Sequence, residues 1–211
     1  MPVFLDYFKM TYPKYLEEVI SSLELLPGIG HKSAIRMAFQ LLDMSDGNLE
    51  KMGESLKALP QAKTFCERCH SLSTENICPI CNDSSRDHSL ICVVSNYKDV
   101  YSIEKMNTFN GVYHVLGGDI RINKGIMPQD LNIASLLERI NENTIEVIIA
   151  TTPSIEGETT ALYLNKELKI YPIKITRIGY GVPMGIQLDY LDGLTMNKAF
   201  ENRKEVQDME D

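Results

Sequence analysis

The sequence predicts an α/β protein in which a parallel sheet with flanking helices follows two small N-terminal modules. Three observations carry that expectation. Short apolar runs alternate with helical stretches from about residue 89 onward, the pattern of a parallel sheet covered on both faces. Four cysteines form two Cys-x-x-Cys pairs at Cys66, Cys69, Cys78 and Cys81. A Pro27-Gly28-Ile29-Gly30 turn joins two helical segments near the N-terminus.

The elements follow in order. Residues 4–26 read as helical with an interruption at Tyr12-Pro13, because Leu16, Val19, Ile20, Leu23 and Leu26 recur at helical spacing. A second helix covers 31–43 and a weaker third covers 48–63. The cysteine module takes 64–88. A β-branched run at 90–94 is a strand, 99–106 a helix, and 111–116 a strand. A glycine-bearing loop spans 117–129. Residues 130–141 form a helix with Asp130 as its cap, 146–150 a buried strand, 157–168 a helix and 173–178 a strand. The segment from Asn197 onward is a polar helix or a frayed end. Boundaries at 1–63, 64–88, 89–180 and 181–211 separate a helical module, the cysteine module, the α/β domain and a C-terminal segment.

Composition sets the outer limits. The chain has 211 residues, 44% hydrophobic and 24% charged, which fits a folded protein rather than a disordered one. No apolar run approaches the roughly 18 residues of a membrane span. Asp6 interrupts the N-terminal stretch and no small-residue cleavage site follows, so a signal peptide is not expected and a cytoplasmic location is. The net charge of −8 is concentrated late: residues 188–211 carry 3 Lys+Arg against 7 Asp+Glu. That balance argues against a polycation that coats DNA but leaves room for a local basic site, whose weak binding oligomerisation strengthens through avidity.

The cysteine spacing, C-x2-C-x8-C-x2-C, places four thiolates where one tetrahedral Zn²⁺ can hold them. Two disulfides or redox pairs are the alternative, disfavoured in the cytoplasm. Four thiolates leave no open coordination position, so the expected role is structural. His70 and His88 lie near enough in sequence to replace a thiolate, although four cysteines suffice. Cys92, inside an apolar run, reads as a buried thiol.

Gly28 and Gly30 allow positive φ and close backbone approach to a ligand. The helix that follows presents unpaired N–H groups and the positive end of its dipole. Lys32 and Arg36, four apart, share one face of it. A P-loop does not fit, since the preceding element is a helix and GxxxxGK[ST] is absent. Helix, glycine hairpin, helix is an arrangement that grips a DNA backbone without reading bases. The bland alternative is a tight αα-hairpin with solvated cations.

The order of parts resembles the RecR family of bacterial recombination mediators. LPGIGHKSAIRMAF, the four-cysteine segment, SRDHSLICVVSNYKDVYSIEKM, GVYHVLGGDI, ATTPSIEGETTALYL and ITRIGYGVPMGIQLDY occur in that family's order over residues 15–205. The resemblance implies a Toprim-like α/β domain behind a helix–hairpin–helix module and a zinc ribbon. It implies a non-enzymatic DNA clamp and adaptor, a homo-oligomer of dimer or tetramer-ring form, in the nucleoid. Such a protein acts with RecO and RecF to load RecA at single-strand gaps coated by single-strand-binding protein. DNA contacts fall on Gly28, Gly30, Lys32 and Arg36, partner contacts on Glu156 and Glu158, and the C-terminal segment joins subunits.

The residues are consistent with a non-catalytic role. Toprim enzymes place a Glu after the first strand and an Asp-x-Asp after a later one to hold Mg²⁺. Here Ser95-Asn96 and Thr151-Thr152-Pro153 take those places. Glu156 and Glu158 start a helix, where they complement its dipole. Asp99 and Glu104 remain as acids for the alternative function, a Mg²⁺-dependent Toprim nuclease or primase relative. His114, in an apolar strand, reads as a core histidine.

Overall fold

The structure is a computed structural model that describes residues 12–62, 64–179, 181–183 and 185–203. It divides into two compact units, Met1–Gln61 and Ala62–Asp211. The helical expectation for residues 4–11, the end of the third helix at Lys63 and the last eight residues lie outside the described residues.

In the first unit, α1 (Lys14–Glu24) and α2 (His31–Leu42) form a helical hairpin. Leu16 and Ile20 of α1 meet Ala34 and Ala38 of α2, with Leu23, Ile29 and Ile35 packed around them. Alanines at the contact let the two backbones approach closely, which keeps the connecting turn short. The third helix, α3 (Asp46–Ala58), starts earlier than expected and gives way to a 3₁₀ turn at Leu59–Ala62. Pro60 explains the change: it cannot donate the next α-helical hydrogen bond.

The second unit opens with the cysteine module, which includes the short α4 (Pro79–Asn82). Four parallel strands follow: β1 (Asp87–Val94), β2 (Gly111–Val115), β3 (Glu146–Ala150) and β4 (Lys174–Arg177), in the order β2-β1-β3-β4. The first strand begins at Asp87, three residues before the apolar run. Its helices are α5 (Tyr97–Glu104), α6 (Ile133–Arg139), α7 (Ile155–Leu168) and α8 (Gly193–Glu201). Side chains alternate across the sheet as the pleat requires. Ile91 and Val93 join Leu136, Ala161, Leu164 and Leu168 on one face, while Cys92 and Val94 join Val100, Tyr113 and Val115 on the other. No helix among the described residues is long and apolar enough to cross a membrane.

Asp130 does not cap α6. It closes a 3₁₀ turn, Pro128–Asp130, by accepting from the Met127 N–H at 2.8 Å, and Asn132 holds the cap position of α6. Pro128 favours that separate turn because its fixed φ starts it.

The outward side of β2 is engaged by other parts of the unit. Arg86 Nη1 donates to Gly111 O (3.1 Å), Arg139 Nη1 to Tyr113 O (2.5 Å), and Asn132 Nδ2 to Val115 O (3.0 Å). The Val115 N–H donates to Cys69 O (2.8 Å).

The start of α7 sits on the loop after β3. Ser154 Oγ caps it by accepting from the Gly157 N–H at 3.1 Å. A Cβ on Gly157 would fall well inside contact distance of Thr152 O, a backbone atom. Gly157→Ala is therefore expected to destabilise the second unit by about 1–3 kcal/mol, the usual cost of overpacking. A lowered urea midpoint measures it; an unchanged midpoint would show that the loop yields freely.

Candidate metal centre and nucleic-acid interface

The metal centre is built from two knuckles. In the first, the Cys66 N–H donates to Ser71 O (2.8 Å) and the His70 N–H to Cys66 O (2.9 Å), with His70 at φ 59° closing the turn. Thr64 Oγ1 donates to Ser73 O across its base. In the second, Cys78 caps α4, accepting from the Cys81 N–H at 3.4 Å, and the Cys78 N–H reaches Cys66 Sγ at 3.3 Å. These local turns aim all four sulfurs inward.

All four cysteines are buried, with their Sγ atoms within 4.8 Å of one another. Cys69 and Cys78 Sγ are 3.6 Å apart. A Zn–S bond of about 2.3 Å places tetrahedral sulfurs about 3.8 Å apart, whereas a disulfide needs about 2.0 Å. The donor set therefore fits zinc, and all four thiols are free of disulfides. Side-chain hydrogen bonds from Cys69 and then Cys81 hold the Cys78 thiol well below its ordinary value, while hydrogen bonding with Cys78 pushes the Cys69 thiol up. Bound zinc would supply charge and fixed tetrahedral geometry.

Neither histidine belongs to this cage. His70 Nε2 contacts Ser135 Oγ at 2.8 Å, and His88 Nε2 contacts Asp83 O at 2.9 Å. Cys92 is buried in the sheet and its thiol is pushed up to about 12 by burial, which leaves it unreactive. His114 is fully buried, contacts Asn132 O at 2.7 Å, and has its pKa lowered to about 3 by burial, as a core histidine should.

The glycine turn of the first unit presents a second site. Gly28 takes φ 84°, while Gly30 stays at φ −88° and occupies the cap position of α2. The positive φ is thus needed at Gly28 alone. Both glycines face open space, with no heavy atom within 4 Å of a hypothetical Cβ. The Ile29 N–H turns inward to Leu26 O (3.1 Å), and Ser33 and Ala34 N–H both donate to Gly30 O. The N–H groups of His31 and Lys32, at the first turn of α2, lie before the first intrahelical acceptor. Lys32 and Arg36 are exposed on this helix, and Glu24 takes His31 Nδ1 at 2.6 Å. Such a turn can accept a phosphate between backbone N–H groups and two flanking cations.

A third location is the C-terminal edge of the sheet between β1 and β3, where the chain order diverges to the two sides. Open α/β sheets bind ligands at such points. Here it is filled by protein hydrogen bonds. Ser95 Oγ donates to Asp119 Oδ1 (2.5 Å) and accepts from the Thr152 N–H (3.2 Å). Thr151 Oγ1 donates to Gly157 O (2.8 Å), and Thr160 Oγ1 accepts from the Ile120 N–H (2.8 Å). Asp119 is buried here and sequence reading missed it. The signal was present: a lone acid inside VLGGDI, directly after a strand.

The acids named for a Mg²⁺ site are dispersed. Asp99 accepts from the Asn96 N–H (2.9 Å) in the capping box of α5. Glu104 is held by Arg86 (Nη1 3.0 Å, Nη2 2.5 Å) and by Tyr113 Oη (2.6 Å). Glu158 pairs with Arg177 Nη1 at 2.7 Å, and Glu156 is half-buried in the first turn of α7. Among the described residues, Cys66, Cys69, Cys78 and Cys81 are the one group of three or more candidate ligands.

Comparison with known families agrees with each part in turn. Residues 16–59 match the RecR helix-hairpin-helix model, 64–83 the RecR four-cysteine zinc finger domain, 89–179 a Toprim domain and 181–204 the RecR C-terminal model. The matched segments follow one another with short gaps and in the order of that architecture. The α/β unit is thus Toprim-like, its cysteine cage carries one structural zinc ion, and the chain takes part in recombinational DNA repair. With all four parts present, the chain belongs to the RecR family.

Proposed function

We propose that this chain is a non-enzymatic DNA clamp and adaptor that works at single-strand gaps in the nucleoid, within the cytoplasm. Lys32 and Arg36 hold DNA phosphates, with the Gly28–Gly30 turn letting the strand approach the N-terminus of α2. Zinc keeps the 64–88 module rigid, 89–180 serves as a partner platform, and 181–211 joins subunits into a dimer or tetramer ring. RecO and RecF act with it, Glu156 and Glu158 contributing contacts, to help RecA displace single-strand-binding protein. The observation that carries this reading is the exposed glycine turn with two cations on one helix face, in a chain whose Toprim-type acids are tied up elsewhere. Those acids cap helices or pair with Arg86, Arg177 and Tyr113, which supports an adaptor over a phosphoryl-transfer enzyme.

Light-scattering mass in solution, with and without a gapped duplex, tests it. A dimer or tetramer that converts to a DNA-bound assembly is expected. A monomer whose mass ignores DNA overturns the clamp.

A further inference from the structure

The outer face of α5 carries rings and cations side by side. At about 100° per residue, Tyr97, Tyr101, Lys105 and Lys98 fall within about 100° of the helix circumference. Lys105 keeps that geometry just past the last turn, since it holds αR angles and its N–H donates to Tyr101 O (3.2 Å). The buried side of the helix is elsewhere, at Val100, which packs with Val94 and Tyr113. Tyr101 is 51% exposed. Phe65, at the start of the cysteine module, is also 51% exposed, and its ring centre lies 6.3 Å from that of Tyr97. Tyr97 is half-buried and packs on the core behind it. Along the helix Tyr101 follows Tyr97 at about 6 Å. Phe65, Tyr97 and Tyr101 are thus a file of three rings at similar steps.

The charges on this helix are unequal in what they meet. Both of its acids are engaged: Asp99 in the capping box with the Asn96 N–H, Glu104 with Arg86 and Tyr113. Lys98 and Lys105 are exposed, and no carboxylate among the described residues pairs with them. The face therefore presents two positive charges on a chain of net charge −8. Exposed rings beside unpaired ammonium groups match a ligand that joins flat apolar faces to phosphates. Unpaired nucleotides have both, and aromatic side chains stack on their bases whatever the sequence. A duplex supplies the phosphates but keeps its base faces inside its own stack. Lysines are depleted at the cores of protein–protein interfaces, so two of them among the rings favour nucleic acid over a protein partner.

We propose that Phe65, Tyr97 and Tyr101, flanked by Lys98 and Lys105, form a second DNA contact that takes unpaired bases. The proposal rests on the clamp reading above and adds a preference to it. The glycine turn of the first unit holds the backbone of either DNA form, and the face of α5 selects the single strand at a gap. The rings supply the discrimination and the lysines hold the phosphates that run beside the stacked bases. Loss of one stacking ring commonly lowers affinity by about tenfold or more.

The test uses the full zinc-bound chain and two probes of equal length, an oligodeoxythymidylate and a blunt duplex. Tyr101→Leu removes the ring but keeps apolar bulk at a half-exposed position, so the fold is unaffected. It is expected to weaken binding of the oligodeoxythymidylate about tenfold and to leave duplex affinity at the parental value. Tyr101→Phe, which keeps the ring, is expected to bind both probes as the parent does. The chain has no tryptophan, so Tyr101→Trp supplies a single reporter whose fluorescence is quenched when a base stacks on it. Quenching is expected with the oligodeoxythymidylate and not with the duplex. Lys32→Ala combined with Arg36→Ala reads the other contact and is expected to weaken both probes. A Tyr101→Leu variant with parental affinity for the oligodeoxythymidylate, or a Tyr101→Trp variant unquenched at saturation, overturns the proposal and leaves the clamp standing. Equal losses on both probes in Tyr101→Leu overturn it as well, because they show no preference for unpaired bases. A parent chain that binds neither probe overturns both readings.

Discussion

Stripping zinc, or replacing Cys66 by Ser, is expected to unfold residues 64–83 outright. The module has almost no other core. Its buried cluster is the four cysteines themselves, with Ile77 and Ile80 at the margin. Apolar area of that size does not offset the conformational entropy of ordering a loop of this length. Metal binding supplies the difference: structural zinc in finger peptides contributes on the order of 10–16 kcal/mol at neutral pH. Amide hydrogen exchange reads the outcome. Protection across 64–83 should collapse on chelation, while the α1–α2 hairpin, which shares no ligand with the cage, keeps its own. A well-folded chain with less than stoichiometric zinc and unchanged protection would refute this.

The second large effect is on DNA. Lys32→Ala combined with Arg36→Ala is expected to weaken binding to every sequence alike, since the proposed contact is with the DNA backbone and no base. Each lost phosphate contact lowers the slope of log affinity against log salt by about one, so the pair removes about two per protomer. Folding should be unaffected, because both side chains are exposed and α2 is held by Ala34 and Ala38 on its other face. Fluorescence anisotropy over a salt series measures the slope. A double variant with the parental slope would move the DNA contact away from this helix.

What the sequence made visible and what it hid divide along range. The strand Glu146–Ala150 was legible to the residue, because a run of Val, Ile and Ile between polar ends has one reading in a parallel sheet. The cysteine cage was legible because its ligands come in two local pairs. The glycine turn was legible for the same reason. The first strand was read short: Asp87, His88 and Ser89 are polar, and their strand character comes from pairing with neighbours that no local pattern records. The cap of α6 was misplaced because Asp130 has the chemistry of a cap and Pro128 redirects it to a turn of its own. Ser95–Asp119, 24 residues apart, and Arg139–Tyr113, 26 apart, stayed hidden because only the folded sheet brings them together.

The bonds along the outward side of β2 have one more consequence. This strand is the edge of the sheet, and an open edge is a template on which another chain can add a strand. Here the template is masked: two arginines and an asparagine take the carbonyls of Gly111, Tyr113 and Val115, and a knuckle carbonyl takes the Val115 N–H. One part of the mask is borrowed from the metal module: the Cys69 carbonyl that takes the Val115 N–H. Protein made under zinc starvation would therefore uncover the Val115 end of β2, and self-association would start from that end of the strand.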